Sequence, residues 1–595
     1  MKNSLNIITS ASKLLFLAII LQVRIVHADF ELGNHDAGKA RIFKVMHKGP
    51  GGIEQLNRNI TFAETKNLNL DLNLSEISSR FGCKTSIGQG FIALFLEKVV
   101  SPKDQNSIVK NRQELIKFLM ENPDLQAKLE KLIREAVEHE AVVIKFLQKR
   151  EYYIFNLTDD NVLDATLHFM QRNPYINSMH HMVMGSAVCF AAHNLTNKFE
   201  KYYTSYSTLN VSDRILAAAK VLFNVGENGW EATAVATTAW SAITSSYGIY
   251  KHYKGALAIR DSLYSLNRLI YIAKQIEKIC KKHHVEHQFK LSFMQSEKGI
   301  SLLNGLRQDC YANKDSYFVI SPLVYSFIYD VYENDIELAP VYASIAEMDA
   351  YVTIAKKMTE LQNSHHTFCF AQFLDDQEPT IEATGLWNTL VSTGNIVVND
   401  IFEDKNIILT GPNEGGKTTA IRAILQNIVL AQTFGIAAAS EFKLTQFDAI
   451  HSYLNISDDI LQGKSRFASE LKQAQEILLR VKSLKPHEKF FFALDELFTG
   501  TNGEDGAECA YRFIDNIASY HGIQFIYATH FNKLKIIGTV NKACVNYKIN
   551  PPLCNERGEF IRDNKGQLIY PYTLSPGVND INVAMERAMD AGIFA

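Results

Sequence analysis

The chain has 595 residues, of which 47% are hydrophobic and 21% charged, and its formal net charge is −3. The length suggests about three or four domains, and the composition is that of an ordinary globular protein with ample material for large cores. The near-balanced charge excludes global basic character, so nucleic acid could be held only by a local basic face. The eight cysteines are scattered without a C-x-x-C pair, which argues against a zinc site or a dense disulfide scaffold and for buried or free thiols.

At the N-terminus, Lys2 and Lys13 precede the apolar run Leu14–Leu21, and Val26 and Ala28 stand at the −3 and −1 positions of a cleavage point before Asp29. Residues 1–28 thus read as a signal peptide or N-terminal anchor, with an apolar helix docked on the protein or on a membrane surface as the bland alternative. Residues 29–74 are polar and rich in Asn, and read as an extended lead-in. From 75 to 384 helical periodicity prevails. Pro102 breaks the chain before Ile108–Leu119, whose apolar residues recur at spacings of three and four, and Leu125–Leu147 continues the pattern. Leu263–Cys280 and Ile345–Leu361 are further amphipathic stretches. Between Leu147 and Leu263, about 155–250 reads as a clamp-like insertion. Within it Ala232–Tyr250 is rich in Ala, Thr and Ser, and its low hydrophobicity favours a tightly packed helix over a membrane segment. Near Phe373–Pro379 the composition changes, and strands and Gly-rich turns begin to alternate with helices, an α/β signature.

Three motifs in the last third carry chemistry. Gly411-Pro-Asn-Glu-Gly-Gly-Lys-Thr418 matches G-x-x-x-x-G-K-S/T and stands between an apolar strand, Asn406–Thr410, and a helix reaching Gln432. Such a loop turns backbone N–H groups onto phosphates at the positive end of a helix. Lys417 would reach the β- and γ-phosphates, and Thr418 would ligate Mg²⁺. The second motif is the apolar run Phe490–Leu494 closed by Asp495-Glu496. It sets two carboxylates at the ligand-binding edge of a sheet, Asp495 for the metal and Glu496 for the attacking water. Ile523–Ala528 ends likewise in Thr529-His530, a position from which His530 can sense a γ-phosphate.

Together these residues resemble the MutS family of ABC-type ATPases. Gly411-Pro-Asn-Glu-Gly-Gly-Lys-Thr-Thr419 is similar to G-P-N-x-G-G-K-S/T-T, Asp495–Gly506 to D-E-I/L-x-x-G-T-x-x-x-D/E-G, and Ala528–Phe531 to A-T-H-F/Y. Asp458–Phe467 resembles the signature loop D-D-x-x-x-G-R/K-S-x-F. Upstream, Thr85-Ser-Ile-Gly88 and Arg112-Gln113 resemble the start of the MutS helical core.

The resemblance implies an α/β phosphate-loop ATPase domain over 385–595, preceded by a mainly helical core and lever domain over 75–384. It implies ATP and Mg²⁺ as cofactors and an ATP site formed by Gly411, Pro412, Asn413, Glu414, Gly415, Gly416, Lys417, Thr418 and Thr419. Ser465 of a second copy would complete the site in trans, making the unit a homodimer. Gln432 and Trp387 are expected near the nucleotide, the latter beside the adenine. The segment from Tyr572 to Gly592 is expected only to complete the fold and the dimer contact. The sequence also departs from the family. Phe498-Thr499 stands where Gly-Arg is usual, and Arg466 where Thr is usual. Glu414 replaces a common Met, and residues 29–74 are too few for a mismatch-reading domain. Three functions stay open: an ATPase that holds double-stranded DNA without reading mismatches, an exported or envelope-associated switch that does not touch DNA, and a degenerate scaffold that binds nucleotide without turnover. The compartment stays open as well, since the N-terminal segment suggests export and ATP chemistry the cytoplasm.

Overall fold

The computed structural model describes residues 44–46, 61–148, 260–284, 296–306, 331, 334–412, 415–454, 466–581, 583–590 and 593. The expected signal segment 1–28 and the clamp-like insertion 155–250 lie outside the described residues. The described chain falls into two compact units. The smaller takes in 138–148, 260–271, 296–306 and 334–339. It is helical, and in it Ser296 Oγ donates to Glu337 Oε2 at 3.0 Å beside the helix Glu297–Leu306. The larger unit holds 61–137, 272–284 and the described residues from 340 onward, and it carries all three motifs.

In chain order the larger unit begins with β1 (Glu64–Lys66) and helices α1 (Leu68–Leu72), α2 (Leu74–Phe81), α3 (Ser86–Glu97), α4 (Gln105–Glu121) and α5 (Pro123–Gln148), the last running on into the smaller unit. The helix over residues 260–282 (α6) is shared in the same way. After Glu297–Leu306 (α7) comes α8 (Ala339–Leu361). The upstream motifs acquire a physical meaning here. Thr85 caps α3 by accepting from Gly88 N at 2.9 Å, and its N–H and hydroxyl donate to the buried Asp349 Oδ2 of α8 at 2.8 and 2.7 Å. Gly88 must stay small, because a Cβ there would come within 2.4 Å of that oxygen. T-x-x-G is thus the socket in which one helix terminus meets another helix.

The main run of strands begins at Cys369, close to the change of composition near Phe373–Pro379. β2 (Cys369–Phe370), β3 (Gln372–Leu374), β4 (Ile381–Leu386) and β5 (Asn399–Glu403) precede β6 (Asn406–Thr410) and α9 (Lys417–Phe434). Then follow β7 (Ile436–Ala437), β8 (Glu441–Thr445), β9 (Ala449–Tyr453), α10 (Arg466–Lys482), β10 (Phe490–Asp495), α11 (Gly503–Ile517), β11 (Ile523–Thr529), α12 (Ile537–Val540), β12 (Cys544–Ile549), β13 (Leu574–Pro576) and α13 (Ala584–Asp590). A seven-stranded sheet has the order β1-β9-β10-β11-β6-β12-β13, and a four-stranded one the order β3-β8-β4-β5. In the larger sheet only the β12–β13 pairing is antiparallel. β6 and β11 are buried at every position and β10 at all but Asp495, as their unbroken apolar runs require of central parallel strands covered on both faces.

The described part of the expected extended lead-in is a structural member of this sheet. Glu64–Lys66 pairs in parallel with Ala449–His451. Asp71 Oδ2 accepts from Ser452 Oγ and Leu454 N at 2.6 and 3.0 Å. The Arg112-Gln113 pair of α4 clasps the far end of α9: Arg112 donates to Thr433 O, and Gln113 Nε2 to Gly435 O at 2.6 Å. Among the described residues no helix is long and apolar enough to cross a membrane.

Candidate active site

Strands β10, β11 and β6 lie side by side, registered so that Asp495 is level with Ala528 and Thr529 with Thr410. Their C-terminal ends therefore deliver the three motifs to one edge. Beyond β6 the chain turns through Gly411 and Pro412 and enters α9 at Gly416, whose φ of 99° is open to glycine at little cost. Asn413 and Glu414 lie outside the described residues, as does Ser465.

Lys417 is buried, and its Nζ donates to Gly411 O at 3.0 Å and stands 3.7 Å from Glu496 Oε1. Thr418 Oγ1 donates to Asp495 Oδ2 at 2.6 Å. The other oxygen, Asp495 Oδ1, is buried with no hydrogen-bond partner. Burial raises the pKa of Asp495, an effect only partly offset by the Thr418 hydroxyl and reinforced by the charge of Glu496. Glu496 is held the opposite way. His530 Nδ1, 3.5 Å from Glu496 Oε1, lowers its pKa, and Lys417 adds to that against the cost of burial. Two adjacent carboxylates thus have environments that push them apart, a common mark of a working site. Glu496 also adopts a left-handed φ of 55°, with its N–H bonded to Ala528 O at 3.0 Å. For a non-glycine residue that conformation costs about 1–2 kcal/mol, and strain of this kind collects at functional sites.

The other expected residues separate. Thr419 is exposed, and its carbonyl accepts from Asn388 Nδ2 at 3.1 Å. Gln432 does not line the site. It is fully buried, its Nε2 donating to Val100 O and Phe447 O at 3.2 and 3.0 Å and its Oε1 accepting from Phe447 N at 2.9 Å, so its amide is consumed in stitching α9 to neighbouring segments. Trp387 presents no open face for an adenine. Its Nε1 donates to Thr367 O at 2.8 Å, and Phe368 and His366 meet its ring edge-on at 5.2 and 5.4 Å. Sequence reasoning missed Tyr572. Its ring carbon Cδ1 lies 3.1 Å from where a Cβ on Gly416 would sit, and it stacks on Tyr570 at 5.7 Å. The segment assigned only to completing the fold and the dimer contact also brings an aromatic ring to the phosphate loop. Nothing in the local sequence marks it, since the approach depends on Tyr572 adopting a φ of 54°.

These side chains fit a divalent cation beside a phosphate. Asp495 offers a buried, unpartnered carboxylate oxygen. The Thr418 hydroxyl beside it completes a hard oxygen pair of the kind Mg²⁺ prefers.

The family model for MutS domain V matches residues 407–593. The C-terminal domain belongs to the MutS family. The DNA mismatch repair protein MutS of Fusobacterium nucleatum is 32% identical over 178 residues, 29% of this chain and 19% of that protein. The DNA mismatch repair protein MSH3 of Candida glabrata is 29% identical over 278 residues, covering 44% of this chain and 26% of that protein. MutS of Pseudothermotoga lettingae is 29% identical over 263 residues, 43% and 29% of the two chains. The chain therefore spans less than a third of the length of each of these relatives.

Proposed function

We propose that this chain binds and hydrolyses ATP at the β6–α9 loop, and that it does so as a MutS-type homodimer with composite sites. The observation that carries the reading is the juxtaposition of Lys417, the Thr418–Asp495 pair with its unpartnered oxygen, and Glu496 held ionised by His530. Gly416 and the start of α9 would receive the phosphates on backbone N–H groups. Lys417 would leave Gly411 O to meet the β- and γ-phosphates. Thr418 and Asp495 would hold Mg²⁺, whose charge would offset that building on the phosphoryl oxygens. Glu496 would orient the attacking water and accept its proton, and His530 would keep Glu496 ionised. Ser465 of the second copy would close the site.

Kinship to proteins named for DNA mismatch repair supports double-stranded DNA as the partner, held through phosphate contacts without direct mismatch readout. Replacing Glu496 with Gln is expected to preserve ATP binding and abolish turnover; hydrolysis that persists removes its assigned role. Mixing Ser465→Ala with Lys417→Ala chains should restore part of the activity, and a confirmed mixed dimer without rescue argues against the composite site. DNA affinity should fall steeply as salt rises. Flat or absent binding would favour a nucleotide-driven switch that leaves DNA alone.

A further inference from the structure

The turn that presents Glu496 is strained at two places. Glu496 has a φ of 55° and Phe498 one of 69°, neither being glycine. A conformation of this kind persists only when its surroundings over-determine it. Tyr527 Oη donates to Leu497 O at 2.8 Å, and the buried Phe498 ring meets Phe513 edge-on at 5.7 Å. The remaining support comes from α10. Its Glu470 is fully buried, yet both carboxylate oxygens are spent on the turn: Oε2 accepts from Gly500 N at 3.0 Å and Oε1 from Thr499 Oγ1 at 3.3 Å. Arg466, one helical turn earlier, donates from Nε to Glu470 Oε1 at 3.3 Å and from its second nitrogen to Thr499 Oγ1 at 3.0 Å. The surfaces are pressed together so closely that a Cβ on Gly500 would stand 2.7 Å from Phe467 N.

The sequence departures fall on this contact. Thr499 occupies the place where the family pattern carries Arg, and Arg466 a place where it carries Thr. Against that pattern the guanidinium and the hydroxyl have changed sides across one interface, and in this chain the buried Glu470 carboxylate lies between them.

We propose that Arg466, Glu470 and Thr499 form a positioning latch that holds Glu496 in its strained, phosphate-facing conformation, and that arginine and threonine are exchangeable across the contact between α10 and the turn. A buried carboxylate is tolerated only when paired and hydrogen-bonded. Arg466 supplies charge to Glu470 and a second donor to Thr499, so that one side chain fixes both halves of the latch. Because the latch acts through Glu496, its loss lowers the hydrolytic rate and leaves nucleotide affinity largely alone. This proposal rests on the ATPase reading.

The test is a swap in the full-length protein, comparing Arg466→Thr, Thr499→Arg and the double variant in steady-state ATP hydrolysis. Each single change is expected to lower kcat about tenfold with KM for ATP within about twofold, and the double to recover to within about threefold of the parent. Arg466→Lys, which keeps the charge and loses the fork, should fall between the parent and Arg466→Thr. It also serves where a single variant fails to fold, as thermal melts would show. The latch is overturned if the double variant is no faster than the slower single, if kcat is unmoved, or if only KM changes. Glu496→Gln measured alongside separates the two claims. Hydrolysis that does not depend on Glu496 removes the underlying reading, whereas Glu496-dependent hydrolysis without recovery in the swap removes the latch alone.

Discussion

Thr418 Oγ1 stands 2.6 Å from Asp495 Oδ2, so that the first turn of α9 and the end of β10 are joined by one short hydrogen bond. The two groups are already as close as neighbouring ligands on a metal would be. Thr418→Val keeps the shape and deletes the oxygen. Its effect on Mg²⁺-dependent ATP binding should be at least the roughly 10–100-fold seen when groups supporting a metal ligand are lost. Binding without Mg²⁺ should change little. Calorimetric titration with and without the metal measures the difference, and an equal loss in both conditions would place Thr418 on the phosphates rather than on the metal.

Asp495 makes a prediction about stability. Burial raises its folded-state pKa above the unfolded value. Such a group favours the folded state fully below the unfolded pKa, and that support is lost as pH rises through the folded pKa. Above the folded-state pKa the protein therefore carries an ionised carboxylate with one oxygen unpartnered. Asp495→Asn keeps an oxygen for the Thr418 hydroxyl and removes the charge. The variant should melt higher than the parent at pH 8 without metal, with the advantage shrinking toward acid pH. Added Mg²⁺ should raise the melting point of the parent and leave that of the variant nearly unchanged.

The neighbouring carboxylate has the opposite sign. His530, with help from Lys417, holds Glu496 below its ordinary value of 4.5. The acid limb of kcat/KM, which reports the free enzyme, should accordingly lie below that value for the parent. In His530→Ala the largest lowering influence is gone, and the limb should move to higher pH. An unmoved limb would mean that a different group governs the acid side. The same depression means that the stability contributed by Glu496 is present above its unfolded pKa and lost as pH falls through the folded one.

Much of this edge was legible because parallel-sheet topology converts sequence motifs into places. An apolar run ending in a polar pair is a central strand whose end faces the ligand edge, and that logic located Lys417, Thr418, Asp495, Glu496 and His530. It failed for Gln432, whose position near the end of the phosphate-loop helix suggested the site. The amide is used up by Val100 and Phe447, partners a sequence pattern does not reveal. Trp387 failed for the same reason, since a buried indole held by Thr367 reads in sequence like an exposed one. The lead-in was misread because β1 is short and polar, Glu-Thr-Lys, and gains its strand character from pairing with distant β9.

Phe498 offers a test of strain in isolation. Its ring is 3% exposed while its backbone sits at φ 69°, a region favouring glycine. Truncation to Ala loses the packed ring at a cost of about 3–5 kcal/mol. Truncation to Gly loses the same ring and recovers the conformational penalty of about 1–2 kcal/mol. Phe498→Gly should therefore be more stable than Phe498→Ala by about 1 kcal/mol, reversing the order found in regular helices. Urea unfolding of the two variants decides it, and the ordinary order would show that the turn relaxes when the ring is removed.

Asp71 tests whether the lead-in belongs to the ATPase sheet. Its carboxylate is 4% exposed, and one oxygen receives both Ser452 Oγ and Leu454 N, 381 and 383 positions away. Asn67 Nδ2 adds a bond to Ser452 O at 3.0 Å. The contact lies where strand β9 ends, so it holds the exit of that strand against α1. Asp71→Ala leaves the Leu454 N–H and the Ser452 hydroxyl without this acceptor, which costs about 1–3 kcal/mol per buried group. If the lead-in is integral, amide exchange should accelerate at Leu454 and along Ala449–Tyr453 and stay unchanged in β6, which lies across β10 and β11 in the same sheet. Glu76→Ala, which removes an exposed helix pair with Arg80, is the control and should leave β9 protected. Unchanged exchange at β9 in the Asp71 variant would mean that the sheet closes without the lead-in, and that β1 is a passenger on its edge.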